Sequence, residues 1–304
     1  MGNPLSPLPE RIRELKMKRN AIILAHNYQS AEVQDVADFV GDSLELSQKA
    51  AKSEAGIIVF CGVHFMAETA AILCPEKKVL MPEVNAGCPM ANMITVDTLN
   101  SLKEKHANAK VVCYVNTTAA VKAESDICCT SSNAVKVVEF IKGHEIIFIP
   151  DRYLAQYVST KTGKKVISWY GYCPTHAKIL PEHVMRQKRL HPKAEVIVHP
   201  ECIPATIALA DRVLSTGGMC RYAKESKADE MIVGTETGIL HRLKKENPEK
   251  EFYAASELAV CPNMKMTTLE KILWSLQDMS TEIKVPCDIR LKARIAIDRM
   301  LELS

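Results

Sequence analysis

Three cysteine–proline pairs, Cys88-Pro89, Cys173-Pro174 and Cys261-Pro262, recur through this 304-residue chain at nearly even intervals. Thiolates bind soft metals and iron–sulfur clusters, which the protein tunes through burial and hydrogen bonds. The proline after each one withholds a backbone donor and stiffens the loop. One ligand from each of three equivalent loops suits three irons of a [4Fe–4S] cubane and leaves the fourth iron without a protein ligand. An incomplete metal shell of that kind can act as a Lewis acid on a substrate oxygen. Three inert, buried cysteines are the plainer alternative, since free cysteine often only packs. Their matched loop positions favour ligation. Zinc on three cysteines and a water is an intermediate case, but structural zinc sites favour closely spaced CxxC pairs, and the sequence has none.

The other eight cysteines do not follow the pattern. Cys74-Pro75 has Thr162 and Asn247 as its counterparts, all three at expected helix ends. Cys61 and Cys113 fall in strands and read as packing residues. Cys128, Cys129 and Cys202 lie close to polar candidates and could line a cavity, with inert packing the simpler reading. Cys220 and Cys287 carry no signal. Eleven cysteines behind a polar, proline-rich lead (Met1 to Pro9) with no apolar signal segment point to reduced thiols and a cytoplasmic setting.

A second set of residues repeats in the same register. Asp38, Asp126 and Asp211 each follow a small residue and stand 88 and 85 residues apart. The cysteines lie 50, 47 and 50 residues after them. Five residues past each aspartate is a hydroxyl: Ser43, Ser131 and Thr216. Twelve before are His26, Tyr114 and His199, and ten before are Tyr28, Asn116 and Glu201. The hydroxyls are expected to open helices. A serine or threonine there is most often an N-cap, but a helix start also presents free N–H groups and a positive dipole end to an anion. Three converging starts would suit a substrate with several anionic groups. The His, Tyr, Asn and Glu set supplies acids, bases and hydrogen-bond partners. Glu201 is the only carboxylate among the equivalent positions, so it is the candidate general base, with Tyr28 and His26 as acids or donors beside it. No Walker or dinucleotide fingerprint is present.

The elements that must position these residues repeat as well. Each copy opens on an apolar strand (Ile22–Ala25, Val111–Cys113, Val196–Val198), adds a short strand after the aspartate and a helix from the hydroxyl, and continues into a further strand (Ile57–Cys61, Ile146–Ile149, Met231–Val233). A last strand (Val79–Met81, Val166–Ser168, Glu251–Tyr253) leads to the Cys-Pro loop. Strands alternating with helical stretches imply parallel sheets covered on both faces. The expected fold is α/β: three pseudo-threefold-related, doubly wound α/β/α domains around a central site, at residues 1–95, 96–182 and 183–267. A helix follows Pro9. A capping box at Thr267-x-x-Glu270 should head another, and a last helix after Pro286 should carry Ile289, Ala293, Ala296, Met300 and Leu301 inward. These ends, including 268–304, are expected to pack on the first domain. Duplication alone explains the apolar register. It does not explain chemically useful side chains at matched strand ends, where open parallel sheets bind ligands.

Composition excludes several classes. With 25% charged and 47% hydrophobic residues the chain is an ordinary globular sequence. A net charge of +3, scattered rather than blocked, gives no nucleic-acid footprint. No apolar run reaches the length of a membrane span.

Over nearly its whole length the sequence resembles the quinolinate synthases. The resemblance rests on Leu24-Ala-His-Asn-Tyr-Gln29, Ala37-Asp-Phe-Val-Gly-Asp-Ser43, Gly62-Val-His-Phe-Met-Ala-Glu68, Cys88-Pro-Met-Ala91, Tyr114-Val-Asn116, Thr130-Ser-Ser-Asn-Ala134, Val198-His-Pro-Glu-Cys202, Ser215-Thr-Gly217, Gly234-Thr-Glu236 and Cys261-Pro-Asn-Met264. It implies a [4Fe–4S] cluster on Cys88, Cys173 and Cys261. It implies substrate contacts from His26, Tyr28, Ser43, Tyr114, Asn116, Ser131, His199, Glu201 and Thr216, with Tyr114 and His199 joining Glu201, Tyr28 and His26 in catalysis. The implied reaction, in NAD biosynthesis, condenses iminoaspartate with dihydroxyacetone phosphate to quinolinate, phosphate and water. An iminoaspartate-producing enzyme is an implied partner. Some relatives carry extra C-terminal cysteines, but here only Cys287 lies in that region. Other three-cysteine cluster enzymes, an isoprenoid diphosphate reductase or a diphthamide-synthesis protein, are the rival readings. A non-enzymatic iron–sulfur sensor is the rival from another class.

Overall fold

The computed structural model describes residues 7–143 and 145–304. The polar lead read at Met1–Pro9 therefore lies, as far as Ser6, outside the described residues.

Among the described residues, twelve strands form three four-stranded sheets. The first holds β1 (Ala21–His26), β2 (Phe39–Gly41), β3 (Ile57–Cys61) and β4 (Lys78–Leu80). The second holds β5 (Lys110–Tyr114), β6 (Ile127–Cys129), β7 (Glu145–Ile149) and β8 (Lys165–Ser168). The third holds β9 (Glu195–Val198), β10 (Arg212–Val213), β11 (Glu230–Gly234) and β12 (Glu251–Ala254). All three are parallel and share one order: the unit's first strand lies between its second and third, with the fourth outside. Every crossover carries a helix, the arrangement that lets a parallel sheet bury both faces. The central strands are almost fully buried runs such as Ile23-Leu24-Ala25 and Ile146-Ile147-Phe148-Ile149.

The repeated aspartates have a physical role in this scaffold. Asp38, Asp126 and Asp211 each accept, through Oδ2, the backbone N–H at the start of the central strand: Ile23, Val111 and Val196, all at 2.8 Å. Each returns its own N–H to the carbonyl of the same residue. The bond fixes where the second strand enters, and so where the following helix starts. A repeated lysine finishes that helix. Lys77, Lys164 and Lys250 place Nζ on the carbonyls ending Ser43–Lys52, Ala134–Phe140 and Thr216–Glu225, where unpaired acceptors and the negative dipole end favour a cation.

The structure moves three of the expected features. The Thr267 capping box is absent: Thr268 caps Leu269–Asp278 by accepting from Lys271 N–H. The second-unit helix does not open at Ser131. It begins at Ala134, because Asn133 takes the cap position and turns its Oδ1 back to Thr130 N–H at 2.8 Å. The helices Leu8–Lys18 and Leu269–Asp278 do pack on the first unit, with Ile12 and Leu276 buried against β1 and β3. The last helix, Cys287–Glu302, does not sit on the first unit alone. It lies chiefly against Ala119–Ala123 and β6 of the second unit and touches His64–Leu73 of the first. Its buried Ala293 and Ala296 allow close approach to an equally small-residue helix. Arg299 Nη1 bonds Asp126 O at 2.6 Å on one side and Arg294 Nη1 bonds Leu73 O at 2.7 Å on the other.

Candidate active site

The carboxyl ends of the central strands of all three sheets open onto one cavity. His26 ends β1, Tyr114 ends β5 and His199 follows β9. Every site residue expected from the sequence lines this cavity: His26, Tyr28, Ser43, Tyr114, Asn116, Ser131, His199, Glu201, Thr216 and the three cysteines.

Cys88, Cys173 and Cys261 are half-buried, whereas seven of the other eight cysteines are buried and Cys287 is exposed. Each cysteine is followed by a short 3₁₀ turn, Pro89–Met93, His176–Lys178 and Asn263–Lys265. Backbone N–H groups of these turns aim at the sulfurs: Ala91 and Met90 at Cys88, His176 at Cys173, Met264 and Asn263 at Cys261. Burial pushes the Cys88 thiol up to about 12 and raises the other two, and the Cys88 sulfur feels both Cys173 and Cys261. Three sulfurs lining one cavity, neutral as bare thiols yet each facing backbone N–H donors, form a donor set suited to a cationic metal centre, which would release their protons. The residues present therefore fit a cluster. Cys173, His176 and Glu201 also place ligand atoms within 4.8 Å of one another, but His176 and Glu201 are already bonded to each other. Cys128, Cys129 and Cys202 do not line the cavity. They are fully buried packing residues beside their strands.

The acid–base groups are tied together across units. Glu201 is buried, and burial opposes its charge; the His176 ring at 2.7 Å, together with His199 and Tyr114, outweighs this and holds its carboxyl down at about 2. Its Oε1 accepts the Tyr114 hydroxyl at 2.5 Å and its Oε2 meets His176 Nδ1. The far nitrogen of His176 lies 2.8 Å from Thr235 Oγ1 and 3.3 Å from Tyr28 Oη, which are themselves 2.5 Å apart. Burial raises both tyrosines well above their ordinary value and lowers His26 to about 4 and His199 to about 3, so all four are neutral near pH 7. Both histidines accept, at Nδ1, the N–H two residues on (Tyr28, 3.2 Å; Glu201, 3.3 Å). Their ring proton is therefore on Nε2.

That tautomer decides how the hydroxyls point. His199 Nε2–H meets Ser131 Oγ at 3.1 Å, which leaves the serine proton free to donate. Thr216 Oγ1 accepts from Asn27 Nδ2 at 2.9 Å, and Asn27 is held in that orientation by Arg242 on its Oδ1 at 2.9 Å. Ser43 and Thr216 are the first residues of their helices, and the caps are their neighbours Asp42 and Ser215. The side chains expected to do double duty as caps are thus released from capping.

Comparison with known proteins decides the family. The family model described as quinolinate synthetase A protein matches residues 10–302. The chain is 61% identical over 296 residues to a quinolinate synthase of Dehalococcoides mccartyi, covering 97% of this chain and 98% of the relative. It is 58% identical over 294 residues to one from Methanosarcina barkeri, covering 97% of both. It is 56% identical over 296 residues to one from Geotalea uraniireducens, again covering 97% of both. The chain belongs to the quinolinate synthase family. It is an enzyme of NAD biosynthesis, and the cavity described above is its candidate active site.

Several residues lining or buttressing this quinolinate synthase cavity gave no signal in the repeat. His176 follows Cys173 by three residues, where the other units have Ala91 and Met264. Thr235 has Gly62 and Pro150 as counterparts. Lys178, exposed on the cavity lining, belongs to the same turn as His176. A threefold register finds residues used three times, and these are used once. The only available clue was the Cys-Pro-Thr-His run itself.

Proposed function

We propose that this protein condenses iminoaspartate with dihydroxyacetone phosphate to give quinolinate, phosphate and water, with a [4Fe–4S] cluster held by Cys88, Cys173 and Cys261. The observation that carries the reading is the sharing of one cavity by three repeat-matched thiols and a neutral-histidine, tyrosine and carboxylate set. A cluster bound there supplies Lewis acidity toward a substrate oxygen through an iron without a protein ligand. Everything else falls to the chain's own groups. The free hydroxyl protons of Ser131 and Thr216, with the helix starts beside Ser43 and Thr216, cradle the phosphate or carboxylates. Asn116 Oδ1 is buried without a partner, an acceptor available to a substrate donor. His26 offers its Nε2–H. Glu201 is the base, and His176 extends it: with the Nδ1 proton directed at Glu201, the Nε2 lone pair can draw a proton from Thr235 or Tyr28 and return it. Tyr114, donating to Glu201, holds that carboxylate in place.

All eleven cysteines are free thiols, which supports a reducing cytoplasmic setting. Among the described residues no helix is long and apolar enough to cross a membrane. Small-molecule substrates are the partners proposed, with iminoaspartate supplied by a second enzyme. The test is anaerobic turnover of the cluster-replete protein with oxaloacetate, ammonia and dihydroxyacetone phosphate and no reductant. Quinolinate and phosphate should form together. Failure to form quinolinate with the cluster intact, or a strict need for reductant, would refute the reading.

A further inference from the structure

Next to the three hydroxyls that face the cavity stands a second set, one residue from each unit, of which Asp42 also lines the cavity. Asp42 Oδ2 lies 2.6 Å from Ser132 Oγ and 3.2 Å from Ser215 Oγ, and the two serine oxygens are 2.7 Å apart. The three close a triangle, each immediately next in sequence to a cradle residue: Ser43, Ser131 and Thr216. The protons can be followed through it. Gly218 N–H donates to Ser215 Oγ at 3.1 Å, Ser215 donates its own proton to Asp42 Oδ2, and the Ser132 hydroxyl is directed at both the Asp42 carboxylate and Ser215 Oγ.

Helix capping does not account for this arrangement. Asp42 caps its own helix entirely through Oδ1, which takes Leu44 N–H at 3.0 Å and Glu45 N–H at 2.9 Å; Oδ2 is left for the other units. Ser132 caps nothing, because Asn133 is the cap of its helix, and its hydroxyl bonds only to residues of the first and third units. A second observation shows how tightly the units meet here. A Cβ placed on Gly217 would come within 2.6 Å of Asp42 Oδ2 and 3.0 Å of Glu45 Cδ. The first turn of the third unit's helix can approach Asp42 only because that residue is glycine.

We propose that Asp42, Ser132 and Ser215 form a clasp between the three units that sets the spacing of Ser43, Ser131 and Thr216, and through it the affinity of the site for its anionic substrate. Ser132 and Ser215, which do not line the cavity, are positioning residues: they act on the substrate through their neighbours. The inference rests on the reading of Ser43, Ser131 and Thr216 as the anion cradle. Three hydroxyls on three separate units have no fixed separation unless something sets it, and the clasp joins all three units through residues adjacent to them.

The test uses cluster-replete protein under anaerobic conditions, with inorganic phosphate as competitive inhibitor against dihydroxyacetone phosphate. Ser132→Ala should raise both the phosphate inhibition constant and the dihydroxyacetone phosphate KM by about tenfold, the effect of losing hydrogen bonding to one buried carboxylate. Its kcat should fall by less, and Ser132→Thr, which keeps the hydroxyl, should recover the affinity. Gly217→Ala should mimic Ser132→Ala by pushing Asp42 away. Lys245→Ala removes a surface ion pair between the first and third units, Lys245 Nζ to Asp35 Oδ1 at 2.6 Å, and should leave phosphate affinity unchanged. If Ser131→Ala weakens phosphate while Ser132→Ala does not, the clasp is wrong and the cradle stands. If Ser131→Ala has no effect either, the cradle reading fails and the clasp falls with it. If Lys245→Ala weakens phosphate as much as Ser132→Ala, the effect is general loosening between units and the clasp is overturned.

Discussion

Replacing Glu201 by glutamine tests the acid–base assignment with the smallest change of shape. Glu201 answers two strong donors at once, Tyr114 Oη at 2.5 Å on Oε1 and His176 Nδ1 at 2.7 Å on Oε2. Glutamine keeps one oxygen, so its NH₂ must confront one donor head-on in either orientation. Leaving one buried donor unpaired costs about 1–3 kcal/mol. That is below the ~3–5 kcal/mol expected when a buried charge loses its partner outright, so the variant should fold and load its cluster. The catalytic loss is separate and larger. Without a carboxylate, the His176 Nδ1 proton has no anion to stabilise it when Nε2 takes up a second proton from Thr235 or Tyr28. Proton transfer of this kind contributes ~10²–10⁴-fold, and kcat should fall on that order with KM nearly constant. The assay is anaerobic steady-state turnover normalised to iron content, with melting temperature followed in parallel. Near-native kcat with only a raised KM would make Glu201 a binding residue and place the base elsewhere.

Two further outcomes follow from the same geometry. His26 and His199 have folded values of about 4 and about 3 against an unfolded value of 6.5, so above that value both states are neutral and stability is fully present. As pH falls below it the unfolded chain takes up protons first, and stability declines until the pH reaches the folded values. His199→Asn should flatten this acid limb by at most about 1.4 kcal/mol per pH unit in unfolding titrations, and an unchanged slope would contradict the buried neutral imidazole. Lys178 is the one lysine or arginine on the cavity lining among the described residues. Lys178→Gln should raise the KM for dihydroxyacetone phosphate several-fold at low salt and less at high salt, with Lys178→Arg near the parent; a salt-independent effect would count against an electrostatic role.

The sequence carried the fold because the structural devices are themselves repeated. Asp38, Asp126 and Asp211 are conspicuous because each makes the same bond to its central strand, and the strand ends they fix place His26, Tyr114 and His199 at the cavity. What was used once was invisible to that register: His176 and Thr235, which lengthen the Glu201 chain, and Ser132, whose partners lie 90 and 83 residues away in sequence. Helix starts were readable only to within a cap. Ser131 gave way to Asn133 because the longer amide reaches back to Thr130. The stripe Ala293, Ala296, Met300 announced a buried face, but a stripe of small and apolar residues does not say which unit will cover it.

We propose that three cysteines, one from each unit, hold the cluster on which the reaction depends. Iron and sulfide content, measured after anaerobic reconstitution alongside quinolinate formation, addresses it directly. The parent, Cys74→Ser and Cys287→Ser should carry about four irons per chain and stay active, whereas Cys88→Ser, Cys173→Ser and Cys261→Ser should each lose the cluster or its activity. A protein with all three of those cysteines replaced that still bound about four irons and made quinolinate would contradict the account.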